Sequence, residues 1–399
     1  MSACKSHAFA FVHTFAGRDP APVIAELQSY GLTGVNLALN YHASRDFLLR
    51  QGPRLEYLKD GFNYYSPNLS FYPESGLRPS LANSYDSNDE LNSLILKARE
   101  VDFEISAWGV FLHNGNLGAS FPDCSVENAL GNRFLSELCP SNPRVQSYSR
   151  GLAEDLLSRG INSLAIESLH FHGARHGEHH ERFFLEMSPI TEFLLSLCFC
   201  SSCLDRFAEA NGDGARLKSQ VAAALDEFLR DQDPWLGVEL SKEHLADICG
   251  PEMFAYLVVR EATVSSLYGE ITQLAHSYGA TTRLIDQTPL LDMTSSESLH
   301  QSWVLGINPQ EVRKYIDIYE PLIYRNDPTS VEKTTSHYLE QLGGAIIPIL
   351  RPTFPDNLSK PNLIAKVQKI RGLGVGEIDF YLLDTMRPRD LTWIKEALL

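Results

Sequence analysis

The sequence predicts an α/β chain closed into a (β/α)8 TIM barrel, one domain over 1–399, with long insertions after strands 2 and 4. Three observations carry this expectation. Short β-rich apolar runs alternate with amphipathic segments along the whole chain; eight such runs can be counted; and two connections are too long to be simple turns. A chain of 399 residues exceeds the usual domain size, yet barrels of this class reach that length as one unit.

The elements follow in order. The first run, 8–14, precedes a helical stretch 21–30 whose Val23, Ile24 and Leu27 share one face, and Gly31 is placed to end it. The second strand is 34–39. The third, 103–112, follows a helical segment at 88–101, and the fourth, 163–167, follows one at 144–159 that Gly160 closes. A long periodic segment, 252–278, leads to a fifth strand at 282–286. Strands six to eight are 316–323, 345–350 and 378–383, with helices at 331–342 and 360–373 between them and a closing helix at 389–398. Eight strands and eight helices is the count a closed barrel needs; an open doubly wound sheet is the competing arrangement.

Residues 43–85 after the second strand are rich in Tyr, Asn, Ser and Pro, with Tyr57, Tyr64, Tyr65, Tyr72 and Tyr85 among them. Residues 168–250 after the fourth form a helical insertion rich in His and Cys. Both lie above the carboxyl ends of the strands, where long excursions build substrate pockets.

Composition narrows the partners. The formal net charge is −16, and an acidic surface without a basic patch repels phosphate backbones and anionic lipid, so neither nucleic acid nor membrane is an expected partner. The apolar run 8–12 is flanked by His7 and His13 with no small-residue cleavage site after it, and reads as a strand and not as a secretion signal. The run 193–200 is too short to span a bilayer. Seven cysteines, three of them crowded at Cys198, Cys200 and Cys203, suit a reducing cytoplasm better than a disulfide framework. Oligomeric state is left open by all of these features.

In such a barrel the polar residues at carboxyl ends of strands are the candidate site. They are His13; Asn40, Tyr41 and His42; Trp108, His113 and Asn114; Glu167, His170 and His172; Asp286 and Gln287; Glu320, Tyr324 and Arg325; Arg351; and Asp384. Carboxylates, aromatics and amide or imidazole donors are the make-up of a sugar pocket, where rings stack and hydroxyls are gripped. Glu167 emerges from the apolar run Leu164-Ala165-Ile166, so desolvation is expected to raise its pKa, as a general acid requires. The plainer alternative is a carboxylate paired with Arg283 or Arg351. Asp286 ends the next strand in the same way and is the expected second carboxylate, with Glu320 and Asp384 as rivals. A separation of about 5–5.5 Å implies retention and about 6.5–9.5 Å inversion.

Five of the thirteen histidines fall at 170, 172, 176, 179 and 180. Gly173 and Gly177 make this a loop, in which His170, His172 and His176 contact substrate hydroxyls, ligate a transition metal, or satisfy one another. Cys198, Cys200 and Cys203 bring three thiols to the spacing of a closed structural zinc site, with Cys124, Cys139 or a nearby histidine as the fourth ligand; buried reduced thiols are the alternative.

Together these residues resemble bacterial barrels of the glycoside hydrolase-like superfamily. The resemblance rests on Trp108, His113 and Asn114, on Leu138-Cys139-Pro140-Ser141-Asn142-Pro143, on Ala165-Ile166-Glu167, and on Leu197-Cys198-Phe199-Cys200 with Cys203. Similar C-x-C-x-x-C runs after a fourth-strand glutamate occur in glycoside hydrolase family 42 β-galactosidases, where they hold a structural zinc. That family places Asn before its acid/base Glu and a nucleophilic Glu on the seventh strand. Here Ile166 precedes Glu167 and the seventh strand runs into Arg351-Pro352, so only the acid/base role of Glu167 carries over. The resemblance implies a carbohydrate-active enzyme. The expectation is a glycosidase that cleaves a small glycoside or oligosaccharide, needs no cofactor for catalysis, and carries a structural zinc. The alternatives are a metal-dependent sugar isomerase or epimerase on the same barrel, and a sugar-binding protein without catalysis.

Overall fold

The computed structural model describes residues 4–50, 52–73, 76–82, 88–175, 182–293 and 295–399. Its core is eight parallel strands: β1 (His7–Phe11), β2 (Gly34–Tyr41), β3 (Glu104–Val110), β4 (Ser163–Glu167), β5 (Thr281–Asp286), β6 (Ile318–Pro321), β7 (Ile349–Leu350) and β8 (Asp379–Phe380). Hydrogen-bonded neighbours run β6-β5-β4-β3-β2-β1-β8-β7. The remaining gap is closed by parallel bridges Tyr319↔Ile346 and Leu322↔Ile349, with the Ile323 N–H donating to the Ile349 carbonyl at 3.0 Å. The sheet is a (β/α)8 TIM barrel.

Around it lie α1 (Pro20–Ser29), α2 (Asn88–Glu100), α3 (Pro143–Leu157), α4 (Glu252–Ser277), α5 (Pro328–Leu342), α6 (Lys360–Gly372) and α7 (Pro388–Leu398). Their starts are written in the sequence. Asp19, Asn142 and Asp327 each accept a backbone N–H of the first turn, and a proline follows each where no N–H is needed. Gly160, at φ +75, leaves α3 by a turn that only glycine adopts without strain. Between β5 and β6 no long helix forms among the described residues: a 3-10 stretch, Ser298–Leu305, and one α-turn, Pro309–Val312, fill the space.

Several strands are shorter than the apolar runs. Pro348 lacks an N–H inside the seventh run and Pro321 ends the sixth, so both ladders are interrupted. The first strand stops at Phe11 because the Phe11 N–H and Thr14 Oγ1 both donate to Asp384, each at 2.7 Å, bending 12–14 into a 3-10 turn.

Alternation along each strand divides the interior from the helix layer. Leu37, Ile105 and Leu284 face the helices. Phe9, Ala38, Trp108, Ala165, Ile285, Leu322 and Ile349 fill the barrel. One step lower the filling is ionic: the Arg283 guanidinium donates to Glu320 at 2.8 Å and Glu377 at 3.0 Å, and reaches Asp379 at 3.4 Å. One step higher is the mouth.

A hairpin, Ser44–Leu48 paired with Arg54–Leu58, follows β2 and docks Leu48 and Leu58 into the mouth's apolar cluster. The long excursion after β4 packs helices Pro189–Ser196, Ser201–Glu209, Gly214–Arg230 and Lys242–Cys249 around a core of their own, including Phe193, Phe207, Leu217, Leu225 and Tyr256. Among the described residues no helix is long and apolar enough to cross a membrane.

Candidate active site

Glu167 ends β4 on the inward face and is 8% exposed. Trp108 Nε1, on neighbouring β3, donates to Oε2 at 2.6 Å, and Gln287 Nε2, just past β5, donates to Oε1 at 2.9 Å. Burial pushes the Glu167 carboxyl above the usual range; the charge of His42 and these two donors pull the other way without cancelling it. Arg283 does not pair with it, since that guanidinium is spent on the acids below.

The wall around Glu167 is aromatic. Trp108 meets Phe9 edge-on at 5.0 Å and Tyr41 at 4.8 Å, and the Tyr41 and Tyr381 hydroxyls lie 3.2 Å apart. Tyr324 packs 5.8 Å from Tyr381, and the Arg351 guanidinium lies over Tyr324 at 4.1 Å while bonded to Asp356 at 2.7 Å. Four imidazoles continue the wall. His42 stacks on Tyr41 at 4.1 Å and on His113 at 5.1 Å; His172 follows 6.0 Å from His113 and 4.8 Å from His170. Such a surface offers flat faces and hydrogen-bonding edges to a ligand rich in hydroxyls.

The fold thus brings Glu167, Trp108, Tyr41, His42, His113, His170, His172, Tyr324 and Arg351 to one end of the barrel. His176, like His179, His180 and Tyr85, lies outside the described residues.

Other expected residues go elsewhere, and Asp286 is the main correction. It is fully buried; Thr288 donates to it through both N–H and hydroxyl, and Tyr338 of α5 donates at 2.5 Å. It therefore points into the helix layer, alongside Leu284, and does not share a cavity with Glu167. Glu320 is sealed into the ionic layer by Arg283. Asp384 ties the end of β1 to the turn after β8, its carboxyl pushed up to about 6 by burial against the N–H and hydroxyl it accepts. Asn40 donates to Asn63 at 2.5 Å, and Asn114 caps a short helix by accepting from Leu117 at 2.9 Å; both are buried structural amides. His13 lies 3.4 Å from Glu56 of the hairpin, its pKa pushed down to about 4 by burial. Arg325 donates to the carbonyls of Pro289, Asp292 and Ser295, bracing the β5–β6 connection.

Gln287, named with Asp286 at the end of the fifth strand, takes the inward place, and Tyr381 and Asp356 join the site beyond the first suspects. Strand parity is the signal that separates Gln287 from Asp286 and finds Tyr381: Gln287 is two past the inward Ile285, and Tyr381 is two past the inward Asp379.

At the base of the β4 excursion, Cys139 meets Cys198, Cys200 and Cys203, all buried, with sulfurs within 4.8 Å of one another. Cys139 lies 3.5 Å from Cys200 and Cys203 and 3.7 Å from Cys198, far beyond the about 2.05 Å of a disulfide. Four thiolates at about 2.3 Å from a tetrahedral zinc stand about 3.8 Å apart, so the residues fit that ion. The Glu127 N–H also points at the Cys198 sulfur from 3.4 Å, as a second layer around a thiolate ligand does.

No protein-family model matches the chain, and no curated protein matches it in sequence. Solved structures do. A β-galactosidase from the psychrophilic Marinomonas ef1 aligns at TM-score 0.58 and 8% identity, over 99% of this chain and 59% of that one. The catalytic domain of β-amylase from Paenibacillus polymyxa aligns at 0.55 and 9% identity, over 98% of this chain and 97% of that one. An α-L-fucosidase isoenzyme 2 from Paenibacillus thiaminolyticus aligns at 0.53 and 10% identity; it covers all of this chain, which spans 49% of its length. At these identities the likeness is one of fold.

Proposed function

We propose that this chain is a glycoside hydrolase-like enzyme acting on a small glycoside or oligosaccharide, with Glu167 as the general acid that protonates the leaving oxygen. The observation that carries this is the environment of Glu167: a buried carboxyl with a raised pKa, held between Trp108 and Gln287 in an aromatic bowl. A proton donor at neutral pH needs that environment. The barrels it resembles include ones named as β-galactosidase, β-amylase and α-L-fucosidase, which makes a glycosidic bond the first substrate to try.

The test is a panel of chromogenic glycosides assayed across pH. Glu167 acts in its protonated form, so activity is present below its pKa and lost as pH rises through it. Trp108→Phe removes a donor that favours the ionised form, so the alkaline limb moves to higher pH. An unmoved limb separates Glu167 from the profile, and a panel with no turnover at all removes the hydrolase reading.

A sugar-binding protein is the second reading, favoured by one observation: among the strand-end carboxylates expected at the site, Glu167 alone opens onto the mouth. A metal-dependent isomerase is less favoured, because Asp286 is engaged with Thr288 and Tyr338 and is turned away from the ion it would have to share with Glu167.

For the thiol cluster, the proposal is a structural zinc held by Cys139, Cys198, Cys200 and Cys203. It would staple the β4 excursion to the loop entering α3. Elemental analysis is expected to find one zinc per chain and to find it depleted in Cys139→Ser. Full zinc content in that variant, or none in the parent, excludes the site.

A further inference from the structure

We propose that Arg351, at the end of β7, binds an anionic group on the substrate, and that the glycoside taken here is a uronide, a sugar whose primary alcohol is replaced by a carboxylate. This rests on reading the mouth as glycoside-cleaving and names the substrate class of that same site.

Strand parity puts Arg351 in the layer of the acid. Glu167 is two past the inward Ala165 and Arg351 is two past the inward Ile349, so both project one step above the side chains that fill the barrel. β4 and β7 lie three strands apart around the closed ring and face each other across its mouth. Aromatic faces line the way between them. Trp108, which holds Glu167, and the Arg351 guanidinium each lie 5.9 Å from the Tyr381 ring. One ring thus separates the partner of the acid from the cation, a gap of about the width of one sugar ring.

The guanidinium is held ready for a planar anion. It lies over Tyr324 at 4.1 Å, and one terminal nitrogen donates to Asp356 at 2.7 Å. Asp356 is itself buried and fixed. The buried Lys366 amine donates to its carbonyl, and Asn357 next to it donates to the carbonyls of Pro352 and Ser359, each at 3.2 Å. Yet the Arg351 side chain keeps 28% of its surface exposed. A fork anchored on one face and at one nitrogen offers its remaining N–H groups in the geometry that grips both oxygens of a carboxylate.

Charge separates the candidate anions. With Asp356 already on it, Arg351 has at most one positive charge to offer. A single carboxylate balances that charge, whereas a phosphate dianion exceeds it. A neutral sugar gives the guanidinium no charged partner in exchange for the water it displaces.

The test compares p-nitrophenyl glucuronides and galacturonides, in both anomers, with the matching neutral glycosides and with glycosides phosphorylated on the primary hydroxyl. Specificity is read as the ratio of kcat/KM for uronide over neutral sugar within one protein, so a change in folded fraction cancels. In the parent this ratio is expected to be at least about tenfold, the contribution of a hydrogen bond between charged groups, and in Arg351→Gln to fall to about one or below. Arg351→Lys keeps the charge and loses the fork, and should fall between the two. Calorimetric binding of free D-glucuronate against D-glucose needs no turnover and should show the same order. Neutral glycosides cleaved without a uronide preference, a phosphorylated glycoside preferred to the uronide, or a uronide preference that survives in Arg351→Gln overturns the proposal and leaves the hydrolase reading standing. Glucuronate binding that depends on Arg351, with no glycoside cleaved, overturns the hydrolase reading and leaves the anion site in place. Neither binding nor cleavage overturns both.

Discussion

Replacing Glu167 with Gln is expected to lower turnover by about 10²- to 10⁴-fold, the range a positioned general acid contributes. The fold should be unaffected. Burial already disfavours the charged form, so an uncharged amide of the same shape loses little. The amide oxygen still accepts from Trp108 Nε1, and Gln287 turns its own amide to present an oxygen to the new NH2. The denaturation midpoint therefore stays level or rises while kcat falls and KM changes little. Leaving group sharpens the test: a phenol of low pKa departs with less help from a proton, so the loss shrinks for activated aryl glycosides and is largest for alkyl ones. A uniform loss across leaving groups points to disturbed binding instead, and ordinary turnover in the variant removes Glu167 from the chemistry.

Much of the barrel was legible because burial imposes patterns that composition alone satisfies. Strands buried on both faces read as continuous apolar runs, as in 164–166, and capped, proline-started helices announce themselves at Asn142-Pro143 and Asp327-Pro328. Lengths were less legible, since Pro348 and Pro321 break ladders that the apolar runs suggest. Which strand-end side chains face the mouth was legible only in part, for a specific reason. Collecting the polar residues at each strand end selects without regard to face: of the pair named on the fifth strand, Asp286 sits on the helix side while Gln287, one residue on, enters the mouth. Cys139 is not singled out by spacing within its own segment. It is placed by contact between segments about sixty residues apart.

The second large effect is expected in stability. Arg283→Met should destabilise the fold by about 3–5 kcal/mol near neutral pH, the usual consequence of removing one partner from a buried ionic cluster. Beneath the aromatic layer the guanidinium is shared by Glu320, Glu377 and Asp379, with Glu320 and Asp379 fully buried. Even with Arg283 present, burial pushes Glu320 and Glu377 up, and Asp379 beside them adds to the shift. An acid whose pKa is raised by folding binds more protons folded than unfolded, so its contribution falls as pH climbs from the ordinary carboxylate range through the raised value. Without the guanidinium those pKa values rise further and the fall steepens. The gap between parent and variant should therefore be small near pH 4 and widen toward pH 8, as read from denaturant midpoints across that range. Adding Glu320→Gln to the variant should recover part of the loss at pH 8 and little at pH 4. A gap independent of pH assigns the effect to lost packing around the arginine stem. In the folded fraction turnover should stay within a few-fold of the parent, since Ile285 and its layer separate Arg283 from Glu167; a collapse in kcat connects this ionic layer to the mouth.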